Sequence, residues 1–339
     1  MRHELPSPKD ALAVLSGVVG GLFGGLITAG RKTLSAKPKG EAEVFLVKTW
    51  DRRVGVRLLL RQFNMEGYSG KRVALKANFN SADPFPASTH IDTLREIVRV
   101  LKEAGAADLS LAERSGMGNT REVLEKMGVL VLARELDFNV LVLDELGAEA
   151  WQKIEADGTH WVNGFYIPKL FLKADKVIQT CCLKTHRFGG HFTLSLKNSI
   201  GLVAKRVPGL AYDFMMELHA SPHQRTMIAE VNSFYKVDLV IMDAIKAFVS
   251  GGPEHGKVVE PNLLLASGDR VAIDAAGLAI LRSYGSTKEV MEGSIFQLEQ
   301  IRRAAELGVG VSSPSDIKLT PLDEGSSEVV EKIESILKG

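Results

Sequence analysis

Along most of the chain, short apolar runs alternate with segments whose apolar residues recur every three or four positions. The runs are 43–50 (EVFLVKTW), 73–78 (VALKAN), 108–113 (DLSLAE), 140–143 (VLVL), 176–183 (KVIQTCCL), 238–245 (DLVIMDAI) and 262–267 (NLLLAS). Several are apolar without interruption, as expected of strands covered on both faces. Helical patterns lie between them. Over 91–104, Ile91, Leu94, Ile97, Val98 and Leu101 share one face, and Gly105 ends the helix. A second helix spans 119–128, capped by Asn119 or Thr120 and stopped at Gly128. Ser221-Pro222 opens a third, to about Tyr235, and the neighbourhood of Asp269 opens a fourth, to about Tyr284. Residues 287–307 and 327–338 complete the set. Strand followed by helix, repeated, predicts an α/β fold: a mainly parallel sheet with helices on both faces. No repeat or low-complexity tract interrupts it. A division near residue 150 lacks a clear linker.

The amino-terminal part reads differently. Residues 11–30 carry no charge and are long enough for a bilayer-spanning helix, with Gly17, Gly21 and Gly25 four apart as in packed membrane helices. The expectation is an apolar helix preceding the fold, and a membrane contact through it. A cleaved signal peptide and a buried glycine-rich element are the alternatives. Arg31, Lys32, Lys37 and Lys39 follow the run against Arg2 and Lys9 before it, which places the large domain in the cytoplasm; an export signal would place it outside. Residues 33–42 read as a polar linker, giving a segment 1–40 and a domain 41–339.

Composition narrows the function classes. The 339 residues hold 42 Lys and Arg against 41 Asp and Glu, a net charge of +1, so nothing global points to nucleic acid. The only cysteines, Cys181 and Cys182, are adjacent and end a buried strand; core thiols are the expected reading. Two thiols neither scaffold a disulfide fold nor ligate an iron–sulfur cluster.

Candidate chemistry concentrates at strand ends, where open α/β sheets bind ligands. The stretch 184–201, KTHRFGGHFTLSLKNSIG, offers Lys184, His186, Arg187, His191, Thr193, Lys197 and Asn198. Its cations suit a carboxylate or phosphate, and its histidines suit proton transfer or metal ligation. Lys76 and Asn78 end an earlier strand in the same way. ERSGMGNT (113–120) carries Gly116 and Gly118 at a strand-to-helix turn, without a complete phosphate-loop pattern. His219 and His223 are four apart, but Pro222 separates them. Asp243 lies inside an apolar strand, and a buried carboxylate needs a partner. The tight loop SGGPEHG places Gly252, Pro253 and Gly256 where backbone could wrap a ligand. Asp274 sits one turn into its helix, after Asp269 as the cap.

KAN at 76–78, LKEAGAADLSLAE at 101–113, KTH at 184–186, TLSLKNSIG at 193–201, VDLVIMDAI at 237–245, GGPEHG at 251–256 and SGDRVAIDA at 267–275 occur in this order. Together they resemble the domain of unknown function 362 family over about residues 43–285. The resemblance implies an α/β domain and groups Lys76, Asn78, Lys184, His186, Lys197, Asn198, Asp243 and Asp274 as site residues. It implies no established reaction. Some members of that family carry an iron–sulfur module, which this cysteine count does not provide. The nickel-dependent lactate racemase family is similar in α/β architecture and in basic and histidine site residues, an analogy that carries no chemistry.

These readings lead to an enzyme for a small anionic substrate. Lys76, Lys184 and Lys197 would hold the anion, and His186, helped by His191, His219 or His223, would move a proton. A divalent metal is the cofactor that His219, Asp243 and Asp274 would bind. A membrane-tethered anion-binding module and a metalloenzyme maturation factor are the alternatives.

Overall fold

A computed structural model describes residues 40–339. The apolar run 11–30 and most of the linker lie outside the described residues. Among the described residues, no helix is long and apolar enough to cross a membrane.

Among the described residues, twelve strands form in the order β1 (Ala42–Lys48), β2 (Arg72–Lys76), β3 (Asp108–Glu113), β4 (Asn139–Val142), β5 (Trp151–Ile154), β6 (Phe165–Pro168), β7 (Lys176–His186), β8 (His191–Thr193), β9 (Leu239–Gly251), β10 (Gly256–Val259), β11 (Leu263–Ser267) and β12 (Ile317–Pro321). The main sheet runs β12-β1-β11-β9-β7-β2-β3-β4. All of these are parallel except β11, which pairs antiparallel with both β1 and β9. The fold is therefore α/β, with a mostly parallel sheet between two helical layers.

Period-two alternation builds the two layers. In β1, Val44 and Leu46 face one core, while Phe45 and Val47 face the other. In β9, Val240, Met242 and Ala244 join the first core, and Leu239 and Ile241 the second. The first core is covered by the helix Arg270–Ser283, whose residues from Arg270 to Leu281 are all buried. The second is covered mainly by the helices Arg52–Leu60 and Ile91–Glu103.

Several elements depart from the sequence pattern. The span 287–307 breaks into three short helices around Gly293 and Ser294, where Ser294 starts a new turn with a capping box. The helix expected from Ser221-Pro222 begins at Gln224, and a separate helix, Phe214–Ala220, precedes it, capped by Asp213. No division occurs near residue 150. There β5 and β6 form a hairpin whose Trp151 and Phe165, with Trp161 between them, are buried in the first core.

The site follows from strand length. In register, Lys76 at the end of β2 lies opposite Gln179 of β7. Strand β7 then continues through His186, and β9 through Gly251. The overhang is folded back on itself, with β8 pairing β7 and β10 pairing β9. Strand β2 is also the point where the chain's progress across the sheet reverses: β3 and β4 extend one way, β7 and β9 the other. Ligands of open α/β sheets bind in the crevice at such a reversal.

Candidate functional site

A cavity of about 520 Å³ opens at the carboxyl ends of β2, β3 and β7. Strand β2 supplies Lys76 and, just beyond it, Asn78. Strand β7 supplies Lys184 and His186, and β8 supplies Thr193. The short helix Ser195–Asn198 supplies Lys197 and Asn198, and Phe214–Ala220 supplies His219. Pro253 closes one side. Residues more than 100 positions apart thus meet in one crevice.

The three lysines differ in how they are held. Lys76 is 2% exposed; its ammonium pairs with Glu113 and also donates to the Ala77 carbonyl and to Asn198 Oδ1 at 3.2 Å. Burial pulls the Lys76 amine down and pushes the Glu113 carboxyl up, and their mutual attraction opposes both shifts. Lys184 is fully buried and donates to Asn78 Oδ1 at 2.7 Å, to the Ala87 carbonyl, and to Pro253 O at 3.4 Å. Burial lowers its pKa also. Lys197 makes no hydrogen bond or ion pair among the described residues. Burial, with the nearby Lys184 and Arg114 charges, brings it down to about 7.

His186 is 6% exposed, and its Nδ1 is buried with no partner. Burial first, then the positive field of Lys197 and Lys184, holds this imidazole well below its ordinary pKa, so it is neutral. Its ring meets that of Phe188 edge-on at 5.8 Å. Thr193 Oγ1 is likewise buried and unpartnered. His219 hydrogen-bonds the Met215 carbonyl through Nδ1 at 2.7 Å, which requires a proton on Nδ1. The glycine at 190 makes the cluster fit. A β-carbon built there would lie 2.6 Å from Lys197 Cε and 2.9 Å from His186 Nδ1.

Several sequence-derived candidates lie elsewhere. Asp243 is 1% exposed and does not line the cavity; it accepts from Arg52 Nε at 2.8 Å and Thr93 Oγ1 at 2.6 Å. Its partners are structural: it ties β9 to the amino ends of two helices. Asp274 is fully buried and accepts from the Ser195 and Leu196 amides at 2.8 and 2.9 Å. Burial pushes its carboxyl up to about 7 against those bonds. His219, Asp243 and Asp274 therefore do not share a site. Among the described residues, no group of three or more His, Cys, Asp or Glu side chains is arranged to hold a metal ion.

His191 faces His186 across the β7–β8 hairpin but does not line the cavity. Burial and Arg225 lower its pKa. His223 lies in a neighbouring groove, its ring 4.5 Å from that of His160. Gly252 has φ of 67°, and a β-carbon there would meet Thr185 O at 2.0 Å, so its backbone packs on β7 instead of wrapping a ligand. Gly256 is equally confined, against Ser250 O at 2.1 Å. Cys181 and Cys182 are buried free thiols, the latter pushed up to about 12 by burial.

Glu113, the last residue of β3, and Arg114 just after it were missed by the sequence pattern. Arg114 is 4% exposed; its guanidinium donates to the Ile200 and Val203 carbonyls at 2.8 and 2.9 Å and has no carboxylate in direct contact. The available signal was the one that found Lys76: a charged residue at the last position of a buried strand. Lys205 also lines the cavity. The wall thus carries Lys76, Arg114, Lys184, Lys197 and Lys205 against only Glu113 and Asp213. Glu113 is occupied by Lys76; Asp213 is occupied by Arg206 and by the amides of Met215 and Met216. The arrangement suits a small anion, and Phe188, Ile200 and Met215 give it an apolar side.

A family model described as "Domain of unknown function (DUF362)" matches residues 73–279. The chain belongs to the DUF362 family. The DUF362 match runs from β2 into the helix Arg270–Ser283 and contains every residue of the cavity wall. No curated protein matches the chain. Among solved structures, the lactate racemase apoprotein from Thermoanaerobacterium thermosaccharolyticum is similar at 14% identity and a TM-score of 0.41, over 89% of this chain and 91% of that one. Likeness of that degree transfers no residue roles to this DUF362 chain.

Proposed function

We propose that the chain is an enzyme for a small organic anion, carboxylate or phosphate, held in the cavity at the end of β2 and β7. The observation that carries this reading is the pairing of an unpartnered Lys197 with an unpartnered, neutral His186 in a wall of surplus positive charge. Burial, then repulsion from Lys184 and Arg114, holds the Lys197 amine down, and a bound anion offsets the repulsion. The anion also raises the basicity of His186, which burial and then the Lys197 and Lys184 charges depress. His186 then accepts a proton from the ligand, and Lys197 or solvent returns one. Apolar contacts from Phe188 and Met215 favour an anion with a hydrocarbon body.

Calorimetric titration tests this with phenyllactate and with inorganic phosphate as probes. Lys197→Met removes one charge-assisted hydrogen bond, worth about 1.5–3 kcal/mol, and so weakens binding by about ten- to a hundredfold. Wild-type affinity falls as pH rises through about 7, because Lys197 then loses its proton. The other groups sharing this wall shape the baseline: the Lys76–Glu113 pair, Arg114, Lys184 and His186 around the amine, and Lys205, Asp213 and His219 nearer the rim. The same variant flattens the profile. Failure of both probes to bind, or equal binding by Lys197→Met, rejects the reading.

A further inference from the structure

We propose that Lys197 forms a covalent imine with its substrate, and that the cavity takes a small 2-oxo acid whose carbonyl carbon meets the Lys197 amine. This inference rests on the anion-binding reading above and names the substrate class.

Three observations select Lys197. The first is its freedom. Lys76 and Lys184 each spend their ammonium hydrogens on fixed acceptors, Glu113 and two oxygens in one case, Asn78 and two carbonyls in the other. Neither has a lone pair to offer while so bound. Lys197 has no such acceptor among the described residues.

The second is the surrounding charge. The cations Lys184 and Arg114 lie on the same wall, and no carboxylate pairs with Lys197. Burial beside other cations keeps a lysine amine neutral enough to act as a nucleophile near pH 7. The third is the proton carrier. Gly190 leaves open the space that Lys197 Cε and His186 Nδ1 both border, and the buried Nδ1 has no other partner.

The step balances without any further reagent. The neutral Nζ adds to the ketone carbon, forming the N–C bond while the carbonyl π electrons move to oxygen. His186 takes the proton released from nitrogen and delivers it to that oxygen. A second proton, taken from solvent, lets the oxygen leave as water while the nitrogen lone pair forms the C=N bond. Amine plus ketone plus one proton gives the protonated imine plus water, with nothing oxidised or reduced. The protonated imine then withdraws electrons from the adjacent carbons, which weakens a C–H bond there or the bond to the carboxylate. The carboxylate itself lies in the field of Arg114, Lys184 and Lys205, with Phe188 and Met215 beside the hydrocarbon end.

The test uses the full chain with pyruvate, 2-oxobutyrate and phenylpyruvate, each with cyanoborohydride, which reduces an imine to a stable secondary amine. Intact mass and peptide mapping then locate the adduct. The expected result is one adduct per chain, on Lys197, suppressed by excess phenyllactate and lost in Lys197→Arg, which keeps the charge. At saturating oxo acid the trapping rate rises with pH, through a midpoint that the bound carboxylate displaces upward from about 7, opposite to the trend of anion affinity. Mapping the wild-type adduct assigns the residue even if the arginine variant folds poorly. If phenyllactate binds but none of the three oxo acids is trapped at Lys197 above the exposed-lysine background, the imine is wrong and the anion site stands. If phenyllactate does not bind and no adduct forms, both readings fall.

Discussion

Lys197 weakens the fold that it serves. In the unfolded chain its amine has an ordinary lysine pKa near 10.4; in the folded protein burial and neighbouring cations bring it to about 7. Between those values the unfolded state binds the proton and the folded state does not, so this residue makes stability rise with pH across that window. Below about 7 both states carry the charge, and its cost is constant. Lys197→Met removes this cost. Its thermal midpoint is expected to lie above wild type at pH 7, with the gap closing toward pH 10, as calorimetry across that range would measure. A variant no more stable at pH 7 would mean that the amine is better solvated than its surroundings imply. At this scale much of the site was legible, because Lys76, Lys184 and His186 each stand at or just after the end of an apolar strand, and Lys197 lies in the polar stretch that follows the second of these strands. What separated Lys197 from the other two lysines was not legible. That depends on Glu113, Asn78 and Pro253, which reach the lysines from distant parts of the chain.

The short helix Ser195–Asn198 holds the site's most reactive side chain, yet four residues are too few to be stable alone. It is anchored from behind by Asp274, which accepts from the first two amides, and by Asn232, which donates to the Leu196 carbonyl at 3.0 Å. Asp274→Asn keeps one amide acceptor and turns an NH₂ group toward the other amide. The expected loss is about 1–3 kcal/mol in denaturant unfolding. Because the carboxyl is raised from its ordinary value to about 7, the folded state holds a proton that the unfolded state has released between about pH 4 and 7. The Asp274 contribution to stability therefore falls as pH rises through that window, and it levels above 7. The asparagine variant should lack that component, and a variant with wild-type slope would show that Asp274 titrates normally. Helices with one clean apolar face, such as Ile91–Glu103, were readable from periodicity. The break within 287–307 was not, because its apolar spacing continues across Gly293 and Ser294.

Across the whole molecule, the sheet's parallel character followed from the alternation of elements. The reversal of β11 within the main strand order did not, since its residues read like those of its neighbours. The misplacement of Asp243 has the same origin. A carboxylate within an apolar strand signals a partner, but the partner is Arg52, 191 residues away. Arg52→Ala leaves that carboxylate buried with Thr93 as its remaining side-chain donor, and the expected cost is about 3–5 kcal/mol of unfolding free energy. Anion affinity, measured on folded protein, should be unchanged; a selective loss of binding would return Asp243 to the site. The position of β1 reaches further. The first strand of the described domain lies between β11 and β12, among the last to be made. During synthesis at roughly 5–20 residues per second, its apolar residues wait on the order of ten to forty seconds before residues 263–267 emerge to pair with them. For that interval a nascent chain displays an unpaired apolar edge at Ala42–Lys48, which this strand order leaves open to aggregation.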